Sequence, residues 1–224
     1  REVTQEYPNH LDFQLEKTLD LRYGENPHQK ASAYQFKKEK SGILSATQHQ
    51  GKPLSFNNIL DAEAAWTCLR EFDSPTCVIV KHANPCGVSS AKTIDAAYAR
   101  AYSADPLSAF GGIVALNRPC TQEIAEAIAN IFMEVVLAPA YTKEALSVFA
   151  AKPNLRILEM PEQTREDWEM KFITGGVLLQ EKDREVIKAQ NLKMVTRIKP
   201  TDEDIESMLF AWQVLKHIKS NGIL

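Results

Sequence analysis

Between residues 60 and 160 the apolar positions alternate between helical spacing and short unbroken runs. Leu60, Ala64 or Ala65, Trp66 and Leu69 share one helical face and predict a core-facing helix over residues 59–72. Asn58 stands where a cap would, with Asp61 in the first turn. Asp73-Ser74-Pro75 ends that helix. Cys77 to Val80 follows as a short β-branched run, the composition of a strand buried on both faces. Pro85 and Gly87 are expected to stop this strand and turn the chain. Ile94, Ala97, Tyr98 and Ala101 predict a helix over residues 91–103. A strand at 113–116, a helix from Pro119 or Thr121 to about Phe132, and a strand at 134–138 closed by Pro139 come next. A helix at 142–150 and a strand at 155–159 complete the series. Strands alternating with helices imply parallel strands, right-handed crossovers and helices on both faces. The predicted fold class is α/β, a parallel sheet with helices layered on both faces.

The flanks follow other patterns. Residues 1–20 are polar and mixed and read as an extended lead-in or linker. Gly24 and the Asn26-Pro27 step force an irregular loop, and Ala31 to Phe36 alternates like a short strand. Residues 161–170 are acidic and mark a junction. Residues 173–180 are strand-like, with Gly175-Gly176 as a bulge or a backbone approach site. Thr201 and Asp204 form a capping box that opens a helix to about Lys219. Its stripe of Ile205, Met208, Leu209, Trp212, Leu215 and Ile218 reads as core, and Lys216, Lys219 and Gly222 suit its end.

Composition narrows the function classes. A net charge of −3 over 224 residues gives no basic field for nucleic acid or an anionic membrane. An anionic ligand would have to be held by a few local cations. No apolar run approaches the roughly 20 residues of a membrane span. Cys68, Cys77, Cys86 and Cys120 show no paired spacing, which reads as reduced thiols in a cytoplasmic protein. The chain starts at Arg1 and stops at Ile223-Leu224, an apolar pair after a glycine, as if at the start of a strand. It is expected to be a piece of a longer polypeptide.

Candidate chemistry collects at the strand end. Lys81 and His82 follow the buried run directly. A continuing strand would point them to opposite faces; a strand ending between them could turn both to one side. His82 could relay a proton and Lys81 could hold an anion or a developing negative charge, or both are merely a solvated strand end. Arg22 and Tyr23 offer a guanidinium and a phenol for a phosphate or carboxylate, or a simple stacked pair. Gly111 and Gly112 would let backbone N–H groups approach a ligand, or serve a tight turn. His82-Ala83-Asn84-Pro85-Cys86 is close to a zinc-deaminase signature, but Asn84 replaces the acid and no second thiolate follows Cys86. Cys86 as a nucleophile stays open, with nothing nearby that singles it out.

Several stretches resemble a known family. They are Arg22 to Gln29, Ser55 to Asp61, Val80-Lys81-His82-Ala83-Asn84-Pro85-Cys86-Gly87, Asp105 to Gly112, Val136 to Pro139 and Thr174 to Gln180. In order and over nearly the whole chain they are similar to the transformylase domain of the AICAR transformylase/IMP cyclohydrolase family, bacterial type. The resemblance implies a cytidine-deaminase-like fold, α/β/α layers around a mixed, largely parallel sheet, that has lost its metal. A first subdomain would span 21–165 and a second would begin at 166–224. It implies formyl transfer from 10-formyltetrahydrofolate to the 5-amino group of AICAR, with no metal. His82 would relay the proton and Lys81 would stabilise the oxyanion. Arg22 with Tyr23 would pin the phosphate. Asn58, Phe110, Gly111, Gly112 and Glu134 would line the nucleotide pocket, Glu134 standing where some relatives carry Asp. The cyclohydrolase domain would precede Arg1, further site residues would follow Leu224, and a homodimer would share the site. The competing readings are a catalytically silent nucleotide-binding module and a zinc-dependent deaminase.

Overall fold

The computed structural model describes residues 7–37, 40–162, 167–219 and 221–222. Chain order gives β1 Leu15–Leu21, β2 Ala31–Phe36, β3 Thr47–Gln50, α1 Phe56–Leu69, β4 Thr76–Lys81 and β5 Asn84–Ser90. Then come α2 Ile94–Ala104, the single turn α3 Pro106–Ala109, β6 Ile113–Leu116, α4 Gln122–Ala129, β7 Val135–Ala138, α5 Lys143–Phe149 and β8 Arg156–Glu159. A hairpin of β9 Trp168–Ile173 and β10 Gly176–Glu181 precedes α6 Asp202–Leu215. No described helix is long and apolar enough to cross a membrane.

The main sheet has six strands in the order β3-β8-β7-β6-β4-β5. Only its middle is parallel: β6 with β7 and β7 with β8. β4 runs antiparallel to both β5 and β6, and β3 is antiparallel to β8. The sheet is therefore less parallel than the strand–helix alternation implies. The reason is local: Pro85 and Gly87 do not end the strand region but lie inside β5. The chain reverses one step earlier, at His82 and Ala83, both in the left-handed region with φ of 53° and 55°. Two such residues between paired strands give a hairpin turn whose twist matches the strands.

Strand alternation divides the core in two. Cys77, Ile79, Val114, Leu116, Val136 and Ile157 face one side, with α2, α4 and α5 residues such as Ala97, Ile124 and Phe149. Val78, Val80, Ile113, Ala115, Leu137 and Leu158 face the other, with Ala62, Ala65, Trp66 and Leu69 of α1. Each fully buried aliphatic side chain here contributes about 1.5–3 kcal/mol. Of the expected face, Ala65, Trp66 and Leu69 are buried as the spacing implies, but Leu60, near the amino end of α1, is 44% exposed.

Capping sets the helix starts. Ser55 caps α1: its Oγ accepts from the Asn58 N–H at 3.1 Å, while Asn58 Oδ1 accepts from the Ser55 N–H at 3.2 Å. Asn58 is thus the third helical residue rather than the cap, and Asp61 moves to the second turn. Thr201 and Asp204 make the expected capping box on α6.

Outside the main sheet, β1 pairs with β2, so the supposed lead-in contributes a strand from Leu15 onward. Gly175, with φ 80°, serves the β9–β10 hairpin turn rather than a bulge. In α6, Met208 and Trp212 are each 49% exposed, so the expected core stripe is only partly buried; Val214 is the buried residue. The strand start expected at Ile223-Leu224, the first six residues and part of the 161–170 junction lie outside the described residues.

α6 is tied back to the end of α1. Phe210 sits 5.1 Å from Phe72, and Gln213 donates to the Glu71 carbonyl at 3.4 Å. Lys216 and His217 both reach the Glu71 carboxylate, each at 3.3 Å. Burial pushes the Glu71 carboxyl up, but the pull of His217 and Lys216 outweighs it and holds the group below its ordinary 4.5. A lowered folded value means the tether is fully present above that pH and is lost as pH falls through it. Amide exchange across residues 202–215 is therefore expected to accelerate below pH 4.5 more than exchange in β6 or β7. Glu71→Gln should give the fast exchange at neutral pH and remove its acid dependence.

Candidate functional site

Because β4 opposes β6, the carboxyl end of β4 lies beside the amino ends of β6, β7 and β8. Lys81, the last residue of β4, meets the turn that leads into β6. Its Nζ donates to the Phe110 carbonyl at 2.8 Å. Gly111, with φ 70°, leaves the room: a Cβ there would stand 2.8 Å from that Nζ. The adjacent N–H groups are spent, Gly111 on the Phe132 carbonyl at 2.7 Å and Gly112 on that of Ala109 at 2.9 Å. The glycines therefore serve a tight connection and make space for the ammonium; they do not offer donors to a ligand.

The rim continues strand by strand. The Glu134 N–H donates to the Gly112 carbonyl at 3.0 Å. Arg156, at the start of β8, reaches Glu134 Oε2 at 2.6 Å and donates through Nε to the Pro53 carbonyl at 3.1 Å. Pro53 lies in the loop that delivers Ser55 and the amino end of α1. The rings of Phe110 and Phe132 lie 5.2 Å apart and are each more than half exposed.

α1 links the remaining parts. Its Asp61 accepts from the Ala83 N–H at 2.8 Å, which holds the left-handed turn and with it His82. Asn84 Nδ2 donates to the His82 carbonyl at 3.0 Å. The His82 side chain is exposed, and among the described residues its ring makes no hydrogen bond. Asn57 Nδ2 donates to the Glu25 carbonyl at 3.4 Å and so joins the Arg22 loop to the start of α1. That loop is closed by Gln29, which bonds Gly24 and Asn26. Arg22 lies 5.7 Å over the Tyr23 ring.

The structure thus brings Lys81, Phe110, Gly111, Gly112 and Glu134 together directly. It holds His82 next to Lys81 in a turn rather than across a strand. Asn58 lies in the first turn of α1, and the Arg22–Tyr23 loop adjoins that helix start through Glu25; among the described residues no hydrogen bond or ion pair joins Arg22 or Tyr23 to the Lys81 rim itself. Asp61, Phe132 and Arg156 escaped the sequence reading. Each acts through a partner distant in sequence, and only the acid at position 61 gave a local signal.

Cys86 turns to the core. Its Sγ donates to the Ile79 carbonyl at 3.5 Å, and burial, then the Asp105 charge, push its thiol up. That disfavours it as a nucleophile or as a metal ligand paired with His82. Among the described residues no group of three or more His, Cys, Asp or Glu side chains is placed to hold a metal ion. Burial pushes the Cys68 and Cys120 thiols up to about 12 and the Cys77 thiol higher still. A cavity of about 370 Å³ at the opposite sheet edge, between Trp66, Phe72, Asn117 and Pro139, contains none of the rim residues. Its Asn117 and Arg118 spend their donors on carbonyls of their own edge.

The fold and rim define an α/β domain whose strand ends carry an ammonium seated on the Phe110 turn and, on the neighbouring strands, a carboxylate paired with a buried guanidinium. The whole chain, residues 1–224, matches the AICARFT/IMPCHase bienzyme family, and the chain belongs to that family. It is 47% identical over 225 residues to the bifunctional purine biosynthesis protein PurH of Caldicellulosiruptor bescii, covering 98% of this chain and 44% of that protein. It is 49% identical over 219 residues to the protein of the same name from a Thermoanaerobacter species, covering 98% of this chain and 43% of that protein. A Caldicellulosiruptor saccharolyticus counterpart is 47% identical over 223 residues. The chain spans less than half the length of these curated relatives.

Two outcomes follow from this geometry. In the native state Cys86 should react with a disulfide reagent well before Cys68, Cys77 and Cys120, which should react only on unfolding. Ala83→Gly should raise unfolding free energy by about 0.5–1 kcal/mol in urea titration, since it relieves a left-handed alanine at a smaller cost in chain entropy.

Proposed function

We propose that this chain carries formyl-transfer machinery: the formyl group of 10-formyltetrahydrofolate passes to the 5-amino group of AICAR, giving FAICAR in purine biosynthesis. The observation that carries the reading is the seat of Lys81 against the Phe110–Gly111 turn, one residue from His82. It joins stretches far apart in sequence that each resemble the family's transformylase part. Family membership and the name of the curated relatives support the same pathway.

The residues suit the chemistry. The amine attacks the formyl carbon, and its proton must leave as the C–N bond forms; His82, with its ring free, takes it. Lys81 faces the oxyanion of the tetrahedral intermediate with the protons not used on Phe110. Collapse of the intermediate breaks the bond to N10 of the folate, and the proton is delivered to that nitrogen. Atoms and charge then balance without a metal. Arg22, exposed over Tyr23, pins the phosphate. Asn58 Nδ2, Phe110 and Glu134 contact the rest of the nucleotide. On this reading the layers are those of a cytidine-deaminase-like fold put to metal-free use. The complete enzyme is a cytoplasmic homodimer with a shared site.

The test is formyl transfer by the chain completed to the length of its curated relatives. His82→Ala should lower kcat by about 10²–10⁴-fold, with AICAR affinity changed little. Arg22→Ala should weaken AICAR binding by about tenfold or more, as loss of a charge-assisted hydrogen bond requires, and affect kcat less. Near-normal turnover in His82→Ala would overturn its assigned role.

A further inference from the structure

Arg156 is nearly buried, with 9% of its side chain exposed, at the amino end of β8. Its planar fork is divided between two neighbours. One terminal nitrogen holds Glu134 Oε2 at 2.6 Å and also lies 3.4 Å from the Glu134 carbonyl, while Nε is held by the Pro53 carbonyl at 3.1 Å. The Arg156 backbone is pinned as well. Gly51 packs so close that a Cβ there would come within 2.6 Å of the Arg156 Cα.

These contacts fix a carboxylate that would otherwise rotate. Glu134 is 37% exposed, and among the described residues its Oε1 has no partner. With Oε2 clamped, Oε1 is presented outward in one orientation. A clamped carboxylate accepts hydrogen bonds and donates none, so it selects a ligand hydroxyl or N–H over a phosphate oxygen. The guanidinium also neutralises it, so an anionic nucleotide is not repelled from the rim.

We infer that Arg156 is a positioning residue that aims Glu134 at a sugar hydroxyl of the nucleotide and so makes the site prefer ribose over a deoxy sugar. This rests on the reading of the rim as an AICAR site. Arg156 itself touches no substrate atom. Its effect passes through Glu134 and through the 51–55 loop that sets the start of α1.

The test is calorimetric binding of AICAR and its 2′-deoxy and 3′-deoxy analogues to the chain completed to the length of its curated relatives. The wild-type protein should bind one deoxy analogue about tenfold more weakly than AICAR, the fold-change expected for one lost hydrogen bond to a charged group. Arg156→Lys keeps the positive charge but cannot serve Glu134 and Pro53 together. It should bind AICAR about tenfold more weakly and discriminate between the sugars by no more than about twofold, the non-additivity expected of groups acting as a unit. Glu134→Gln, which leaves Arg156 an amide oxygen to hold, should also lose the discrimination and guards against a folding defect in the first variant. Full discrimination in both variants, or none in the wild type, overturns the inference while leaving formyl transfer standing. A wild-type protein that binds no AICAR overturns the underlying reading and the inference with it.

Discussion

The arrangement of the rim depends on a reversal of the chain over two residues. His82 and Ala83 hold left-handed backbone conformations that cost L-residues about 1–2 kcal/mol each. Asp61 of α1 meets the cost by accepting the Ala83 N–H. Strain of this kind persists only where its surroundings enforce it. Here it sends β5 back along β4 and leaves Lys81 and His82 at the rim. In an all-parallel sheet the same residues would have faced the other edge, where open α/β sheets usually hold ligands. The candidate site lies instead at the amino ends of the parallel strands, reached by a strand running the opposite way.

The elements with unmixed periodicity were legible in the sequence. β6 runs over Ile113–Leu116 as its apolar run implies, and α5 and α6 follow their threonine caps. Strand direction was not legible. An antiparallel hairpin with Pro85 and Gly87 inside its second strand looks, residue by residue, like a strand that stops and turns. Nothing local announces that an alanine will take φ 55°. Exposure within α1 and α6 was misread for a related reason. How much of a stripe is buried depends on what covers it, and Leu60, Met208 and Trp212 show that neighbours decide.

The site divides the same way. Lys81, His82 and the glycine pair stood out because polar chemistry followed directly on a buried strand. The groups that position them did not. Asp61, Phe132 and Arg156 act on partners 22 residues away or, as Arg156 does on Pro53, across 103 residues of chain. Such contacts exist only once the sheet has assembled. The glycines were found for an incomplete reason: their N–H groups are taken, and what matters at Gly111 is the missing side chain.

That empty space ties two distant positions to a shared evolutionary fate. Any side chain at 111 would both force an unfavourable φ and displace the Lys81 ammonium. A shorter residue at 81 would tolerate a Cβ at 111 but would leave the Phe110 carbonyl without its donor. In a saturation library the pair should be epistatic only in part: shortening residue 81 relieves the crowding of a Cβ at 111 but not the cost of its positive φ.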